Sequence, residues 1–226
     1  MLNKQIVLTA IILLCSVILF EFTNIDIWVQ DHLYNFEAGL WLHHHEEKIA
    51  KYIFYDAPKA SLILVLIALI TGLLFFRNSR FIKTNKAGLW IVCLSLLLIP
   101  PLVGVLKTIT NVPCPYNLTR YGGEYPHVTV LESYPKDFKQ TGRKRCFPAG
   151  HASGGFALLS LLFLFKGRRN KRLALISVMI FAWSMGVYKM IIGDHFLSHT
   201  VITMVLAWLI ILLIAKGVYR KFAVSS

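Results

Sequence analysis

Three short segments hold most of the residues that could do chemistry, and each sits at the end of an apolar stretch. Lys107 closes one stretch. Cys146-Phe147-Pro148-Ala149-Gly150-His151 opens a second, and Lys189-Met190-Ile191-Ile192-Gly193-Asp194-His195 follows a third. Lysine supplies a fixed positive charge for phosphate oxygens. Imidazole can attack an electrophile or pass a proton near neutral pH. Phosphoryl transfer asks a protein mainly to position its groups and stabilise charge. Cations and two imidazoles gathered at one membrane surface would therefore suit a phosphate ester attacked by a histidine.

The elements that must position these residues follow from composition. The chain has 226 residues, of which 56% are hydrophobic and 15% charged, with mean hydropathy +0.61. Soluble domains carry about 25% charged residues, so this is a membrane protein. One domain, 1–226, suits the length. Lipid offers no partner to an unpaired backbone group, so the spans must be helices. The sequence predicts an all-α integral membrane protein with six transmembrane helices, at about 5–22, 60–76, 87–106, 152–165, 173–192 and 200–215. The fourth is short. The first has no small residues at a cleavage site in Glu21-Phe22-Thr23-Asn24 and reads as a retained span.

Basic residues set the expected orientation. Arg77, Arg80, Lys83 and Lys86 lie between spans two and three. Lys166, Arg168, Arg169, Lys171 and Arg172 lie between spans four and five, and no acid accompanies either group. Basic short loops stay in the cytoplasm. Both termini are then cytoplasmic, and loops 23–59, 107–151 and 193–199 face outward, toward the periplasm of a bacterial inner membrane. The net charge of +13 is a topology and anionic-lipid signal, and nucleic acid is excluded as a partner because no soluble basic domain exists.

Loop 23–59 spaces its apolar residues as one or two outward-facing interfacial helices would. Trp28 and Trp41 are placed at headgroup level, or else the loop packs on the bundle as a lid. The long third outer-face region, 107–151, is rich in Lys and Arg and suggests an anionic ligand. Cys114 and Cys146 lie in it, where an oxidising compartment would let them join. Cys15 and Cys93 read as buried thiols within spans. The run His43-His44-His45-Glu46-Glu47 reads as surface, since adjacent histidines cannot all face one ion.

As a set, these motifs resemble the integral-membrane type 2 phosphatidic acid phosphatases, relatives of the vanadium haloperoxidases. The family signature has Lys, six residues, Arg-Pro; then Pro-Ser-Gly-His; then Ser-Arg, five residues, His, three residues, Asp. This chain reads Lys107, six residues, Cys114-Pro115; Pro148-Ala149-Gly150-His151; and Tyr188-Lys189, five residues, His195, three residues, His199. The resemblance implies a phosphatase with His195 as nucleophile, His151 as general acid, and His199 in the orienting place usually held by Asp. Lys107, Lys189 and Gly150 match phosphate-binding positions. With Cys114 in place of the family Arg, Arg120 or Arg145 is expected to supply a guanidinium. No metal or other cofactor is implied.

The expected partner is a lipid phosphate in the membrane: lipid A, undecaprenyl pyrophosphate or a phosphatidic acid type. Transfer to a second lipid from a polyprenyl pyrophosphate would use the same phosphohistidine. A binding or transport protein that kept the cations and lost turnover is the non-enzymatic alternative.

Overall fold

In the computed structural model, residues 2–42 and 48–224 are described. The run His43–Glu47, read above as surface, lies outside the described residues. Helices α1 (Leu2–Glu21), α4 (Ala57–Phe75), α5 (Arg80–Thr110), α6 (Gly150–Ala157), α7 (Arg168–Ile191) and α8 (Leu197–Val224) form the bundle, and α2 (Ile25–Asp31) and α3 (Lys48–Lys51) lie between α1 and α4. A π-helical turn, Tyr52–Asp56, joins α3 to α4. Among the described residues, five helical stretches are long and apolar enough to cross a membrane, beginning at Leu2, Lys48, Arg80, Arg168 and Leu197. Exposed apolar side chains such as Ile11, Leu64, Leu102 and Ile180 cover their outer surfaces, as lipid contact requires.

The sixth apolar segment is different. α6 supplies 8 residues and a 3-10 turn, Leu158–Phe163, continues it for 6 more. That gives about 24 Å of length, short of the ~30 Å hydrocarbon layer. Yet Ala152 to Ala157 are all buried. α6 packs against α5, α7 and α8, so protein rather than lipid surrounds it. Small residues permit this: a Cβ on Gly155 would come within 2.9 Å of the Ala182 backbone, and one on Gly88 within 2.8 Å of the Leu164 backbone. Close backbone approach of this kind drives helix association in membranes. The core around α6 includes Ile91, Ile99, Phe156, Ala182 and Ile211.

Helical spacing in 23–59 predicts helices, and α2 and α3 form. Between them, however, lies a small antiparallel hairpin, pairing Tyr34 with Trp41 and Asn35 with Leu40. Local turn chemistry overrides the helical pattern. The Asn35 side chain accepts hydrogen bonds from the N–H groups of Glu37 and Ala38, both at 3.0 Å, and Gly39 takes φ +67°. Trp28 is exposed. Trp41 instead packs over the turn at Gly193 and against Tyr34 and Tyr121, with ring centroids 4.8 and 5.1 Å away. The lid arrangement holds for Trp41. Cys93 is buried, as expected, but Cys15 is exposed on the outer side of α1.

Three devices fix the outer end of the bundle. The first is the end of α7. Gly193 N–H donates to the Met190 carbonyl (3.0 Å) and Asp194 N–H to the Lys189 carbonyl (2.8 Å), with Gly193 at φ +75°. This is a Schellman cap, and it turns the chain so that Asp194 and His195 fold back over Lys189. The second is α2. The Asp26 carboxylate accepts from Ser198 N–H at 2.8 Å. It thereby caps α8, whose first turn has no acid of its own. Gln30 donates to the Met190 carbonyl at 2.8 Å, and Asp31 accepts both arms of Arg120 at 2.8 and 2.6 Å. The third is the Cys114–Cys146 disulfide, whose Cys146 Sγ lies 3.2 Å from the Asp194 carbonyl.

Three outcomes are expected. Non-reducing mass spectrometry should find Cys114 and Cys146 joined, and Cys146→Ser should cost about 3–4 kcal/mol in detergent unfolding. Gly193→Ala should lower the melting temperature by an amount equivalent to ~1–3 kcal/mol, because φ is left-handed and the added Cβ would clash with the Trp41 ring. Burial raises the Asp26 carboxyl to about 6. Folding thus favours its protonated form. The stabilising contribution is complete below the unfolded pKa near 4 and is lost as pH rises through about 6. Melting temperature, wild type minus Asp26→Asn, should fall across that window and be flat above it. A flat difference throughout would remove Asp26 from the account.

Candidate active site

Helix polarity brings the sequence motifs to one end. Lys107 lies in the last turn of α5, His151 in the first turn of α6, Lys189 in the last turn of α7, and His199 in the first turn of α8. His195 sits in the short connection between α7 and α8. Consecutive helices run in opposite senses, so all five converge.

The two imidazoles read as catalytic lie close together. The rings of His151 and His195 have centroids 6.2 Å apart. His195 is 3% exposed and His199 is 2% exposed. Their Nδ1 atoms are 3.3 Å apart, so one must donate and the other accept. Burial, then the neighbouring His199 and the cations around it, hold the His195 imidazole well below its ordinary pKa. It is therefore neutral at physiological pH, the state with a free lone pair. His151 Nδ1 is buried without a hydrogen-bond partner among the described residues, and a group in that condition is suited to an incoming oxygen.

The cations sort into two kinds. Lys189 Nζ forms an ion pair with Asp194 Oδ2 at 2.7 Å, and both are mostly buried, at 12% and 18% exposed. The neighbouring carboxylate thus serves the lysine. Lys107 lies against Gly150, where a Cβ would meet its Cδ at 3.3 Å and its Nζ at 3.5 Å. Glycine is what lets the ammonium reach the start of α6, where the helix dipole also favours an anion. Lys107, Lys189 and His151 interact electrostatically with one another.

The two arginines expected near the site are placed otherwise. Arg120 has its fork occupied by Asp31, which depresses that carboxyl and holds the guanidinium firmly charged. It fastens α2 to the outer loop. Arg145 is exposed, with no hydrogen bond or ion pair to the site residues. The loss of the family arginine at Cys114 is therefore not made good by either one. The disulfide stands there.

Around Ala149 the backbone is tied down. Its N–H donates to Thr203 Oγ1 at 2.8 Å and lies 3.3 Å from the His199 carbonyl, which Thr203 Oγ1 also reaches at 2.6 Å. This links the His151 segment to the His199 turn. Sequence reasoning missed Thr203 and Asp26. It also missed Tyr55, whose ring lies 4.5 Å from His151 with Lys189 Nζ 4.8 Å from its centroid. A cavity of about 360 Å³ opens beside His151, lined by Tyr55, Lys59, Leu62, Leu66, Pro100 and Met185 among others. The signal available was Tyr55-Asp56-Ala57-Pro58-Lys59, polar and aromatic residues just before an apolar run.

Similarity to known proteins agrees with this geometry. Over 206 residues the chain is 25% identical to a lipid A 4'-phosphatase of Francisella tularensis subsp. novicida (strain U112), covering 88% of this chain and 89% of that one. Its fold matches the crystal structure of a transmembrane PAP2 type phosphatidylglycerolphosphate phosphatase from Bacillus subtilis, with TM-score 0.58 and 16% identity over 96% of each chain. The family model of the PAP2 superfamily matches residues 88–223, the stretch that holds Lys107, His151, Lys189, His195 and His199. The chain therefore belongs to the PAP2 superfamily and is a multi-pass membrane phosphatase.

Proposed function

We propose that this phosphatase hydrolyses a phosphate monoester or pyrophosphate of an amphiphilic lipid through a phosphohistidine on His195. The observation that carries this reading is the His151–His195–His199 arrangement. His199 occupies Nδ1 of His195, which leaves Nε2 to attack. In the first step the Nε2–P bond forms as the P–O bond to the lipid breaks. The electron pair leaves with the oxygen, which takes a proton from His151; burial and the lysines lower that imidazole to about 3, and the anionic phosphate beside it offsets them so that it carries the proton in the complex. In the second step water attacks phosphorus, His151 accepts its proton, and the N–P bond breaks to free phosphate. Two imidazoles at 6.2 Å suit opposite sides of one phosphorus, as in-line displacement demands. Lys107 and Lys189 take the equatorial oxygens, with Lys189 held by Asp194. Arg120 and Arg145 have no part.

His199 works as an acceptor for the His195 Nδ1–H. It lacks the charge of a carboxylate and so stabilises the imidazolium-like phosphohistidine less. The lipid tail lies in the cavity beside His151, whose walls are mostly apolar. Lipid A is the favoured substrate class, supported by the Francisella relative and by the basic outer loop. The basic inner loops support a bacterial inner membrane with both termini cytoplasmic and the site facing the periplasm.

Phosphate release by purified protein across lipid A, undecaprenyl pyrophosphate and phosphatidic acid tests the reading. Activity is expected on at least one. His151→Ala should lose about a hundredfold or more. His195→Ala should fall to background and lose an acid-labile labelled adduct that wild type forms. Full activity in His195→Ala would reject the nucleophile.

A further inference from the structure

The cavity beside His151 has a polar end that the mechanism leaves unused. Lys59 stands in the first turn of α4, exposed, and lines the same cavity as His151. It has no ion-pair partner among the described residues. Leu62, Ile63 and Leu66 follow it at helical spacings of three, four and seven, and all line the cavity. One face of α4 therefore runs from an ammonium group into an apolar groove over about 10 Å.

The position of that ammonium relative to the reacting groups is informative. His151 interacts electrostatically with Lys189, Lys107 and Lys59. The cations acting on His195 are Lys107 and Lys189. Lys59 thus lies on the side of His151, where the leaving lipid departs, and not on the side of the nucleophile. Tyr55, one helical turn earlier, has its ring on His151 and sits on the π-helical turn, a local distortion often found at functional sites. Residues 55 and 59 both lie outside the stretch matched by the superfamily, 88–223. The shared chemistry does not account for them.

We propose that Lys59 is a specificity-determining residue that binds a second anionic group of the lipid, placed between the scissile phosphate and the hydrocarbon chain. This rests on the phosphatase reading above and, among the lipid classes named there, selects the pyrophosphate lipid over lipid A, whose scissile phosphate sits directly on an acylated sugar. Lipids carrying two phosphates in series along the headgroup fit. A lipid whose scissile phosphate joins its tail region directly leaves Lys59 unused. Tyr55 forms the wall that keeps the two phosphates apart.

Two probes with identical chains separate the cases: dioleoyl phosphatidic acid, with one phosphate, and dioleoyl phosphatidylglycerol phosphate, with two. In the full-length protein, Lys59→Ala is expected to raise KM about tenfold for the two-phosphate lipid, the loss of one charge-assisted contact. Its kcat should be kept, and KM for phosphatidic acid should change by less than about twofold. Lys59→Arg should restore KM. In a His195→Ala background, binding of the two lipids is measured without turnover, and Lys59→Ala should erase a preference for the two-phosphate lipid. Equal losses on both lipids, or none on either, overturn the assignment, as does equal binding of the two lipids with Lys59 intact. If wild type turns over neither lipid yet binds with the expected preference, hydrolysis of these two lipids is rejected and the Lys59 site stands.

Discussion

An excess of positive charge in a half-dry pocket is the constraint to which the outer face is built. Lys107 and Lys189 converge on two imidazoles, and among the described residues the one carboxylate paired with them is Asp194. Bringing like charges out of water is costly unless an opposite charge repays it. Asp194 pairs with Lys189 and also attracts Lys107, so one carboxylate stands against two lysines. In the function proposed above, a phosphate group supplies the remaining negative charge. Such a site must be held by the surrounding structure rather than by its own attractions. The Schellman cap at Gly193, the disulfide and the carboxylate of Asp26 all act on the chain within a few residues of His195.

The departures from the family signature read differently once their surroundings are known. At Cys114 a guanidinium is exchanged for a covalent tie, and Cys146 Sγ touches the carbonyl of Asp194. The site loses a bidentate donor and gains a fixed loop. At His199 a carboxylate is exchanged for a neutral ring that can still accept from His195. Its backbone carbonyl meanwhile receives Thr203 and lies beside the N–H of Ala149. One residue thus holds His195 through its ring and the His151 segment through its carbonyl. At Tyr188-Lys189 the fork becomes a point charge, and Asp194 restrains the flexible stem that results.

Much of this was legible in the sequence because hydropathy has one cause and one scale. Apolar blocks of membrane length marked every bundle helix but α6, and some helices overrun them where Lys and Arg ends continue past the lipid, as Arg168 to Arg172 do on α7. The motif residues were legible because spacing along the chain was enough to place them at helix ends. Other features depend on contacts that no local pattern encodes. The hairpin at Tyr34 to Trp41 rests on one asparagine turn inside a helical-looking stretch. The fate of Arg120 was set by Asp31, 89 residues away, and proximity to Cys114 in sequence pointed elsewhere. Asp26 and Gln30 looked like ordinary polar residues of a surface helix, and only their burial against α7 and α8 gives them a role. The shortness of α6 made it a doubtful span until its enclosure by protein removed the need to match the bilayer.

The segment before α4 and the superfamily core divide the work. Residues 88–223 carry the groups proposed to form and break bonds, while α2, the hairpin and the π-helical turn cover them from outside that stretch. What holds this cover can be judged by magnitude. The Arg120–Asp31 pair has ideal forked geometry, but its side chains are 49% and 26% exposed, and a surface pair contributes about 0–1 kcal/mol. The hydrogen bond from Gln30 to the Met190 carbonyl is buried, and in the half-buried Tyr34–Trp41–Tyr121 cluster each aromatic pair adds about 0.5–1.5 kcal/mol beyond its buried area. These dominate. They also land on Met190 and Gly193, the residues of the cap that aims His195. The cover therefore cannot lift without loosening the turn that carries His195. The groove between α4 and α6 that ends at His151 lies to the side of this cover.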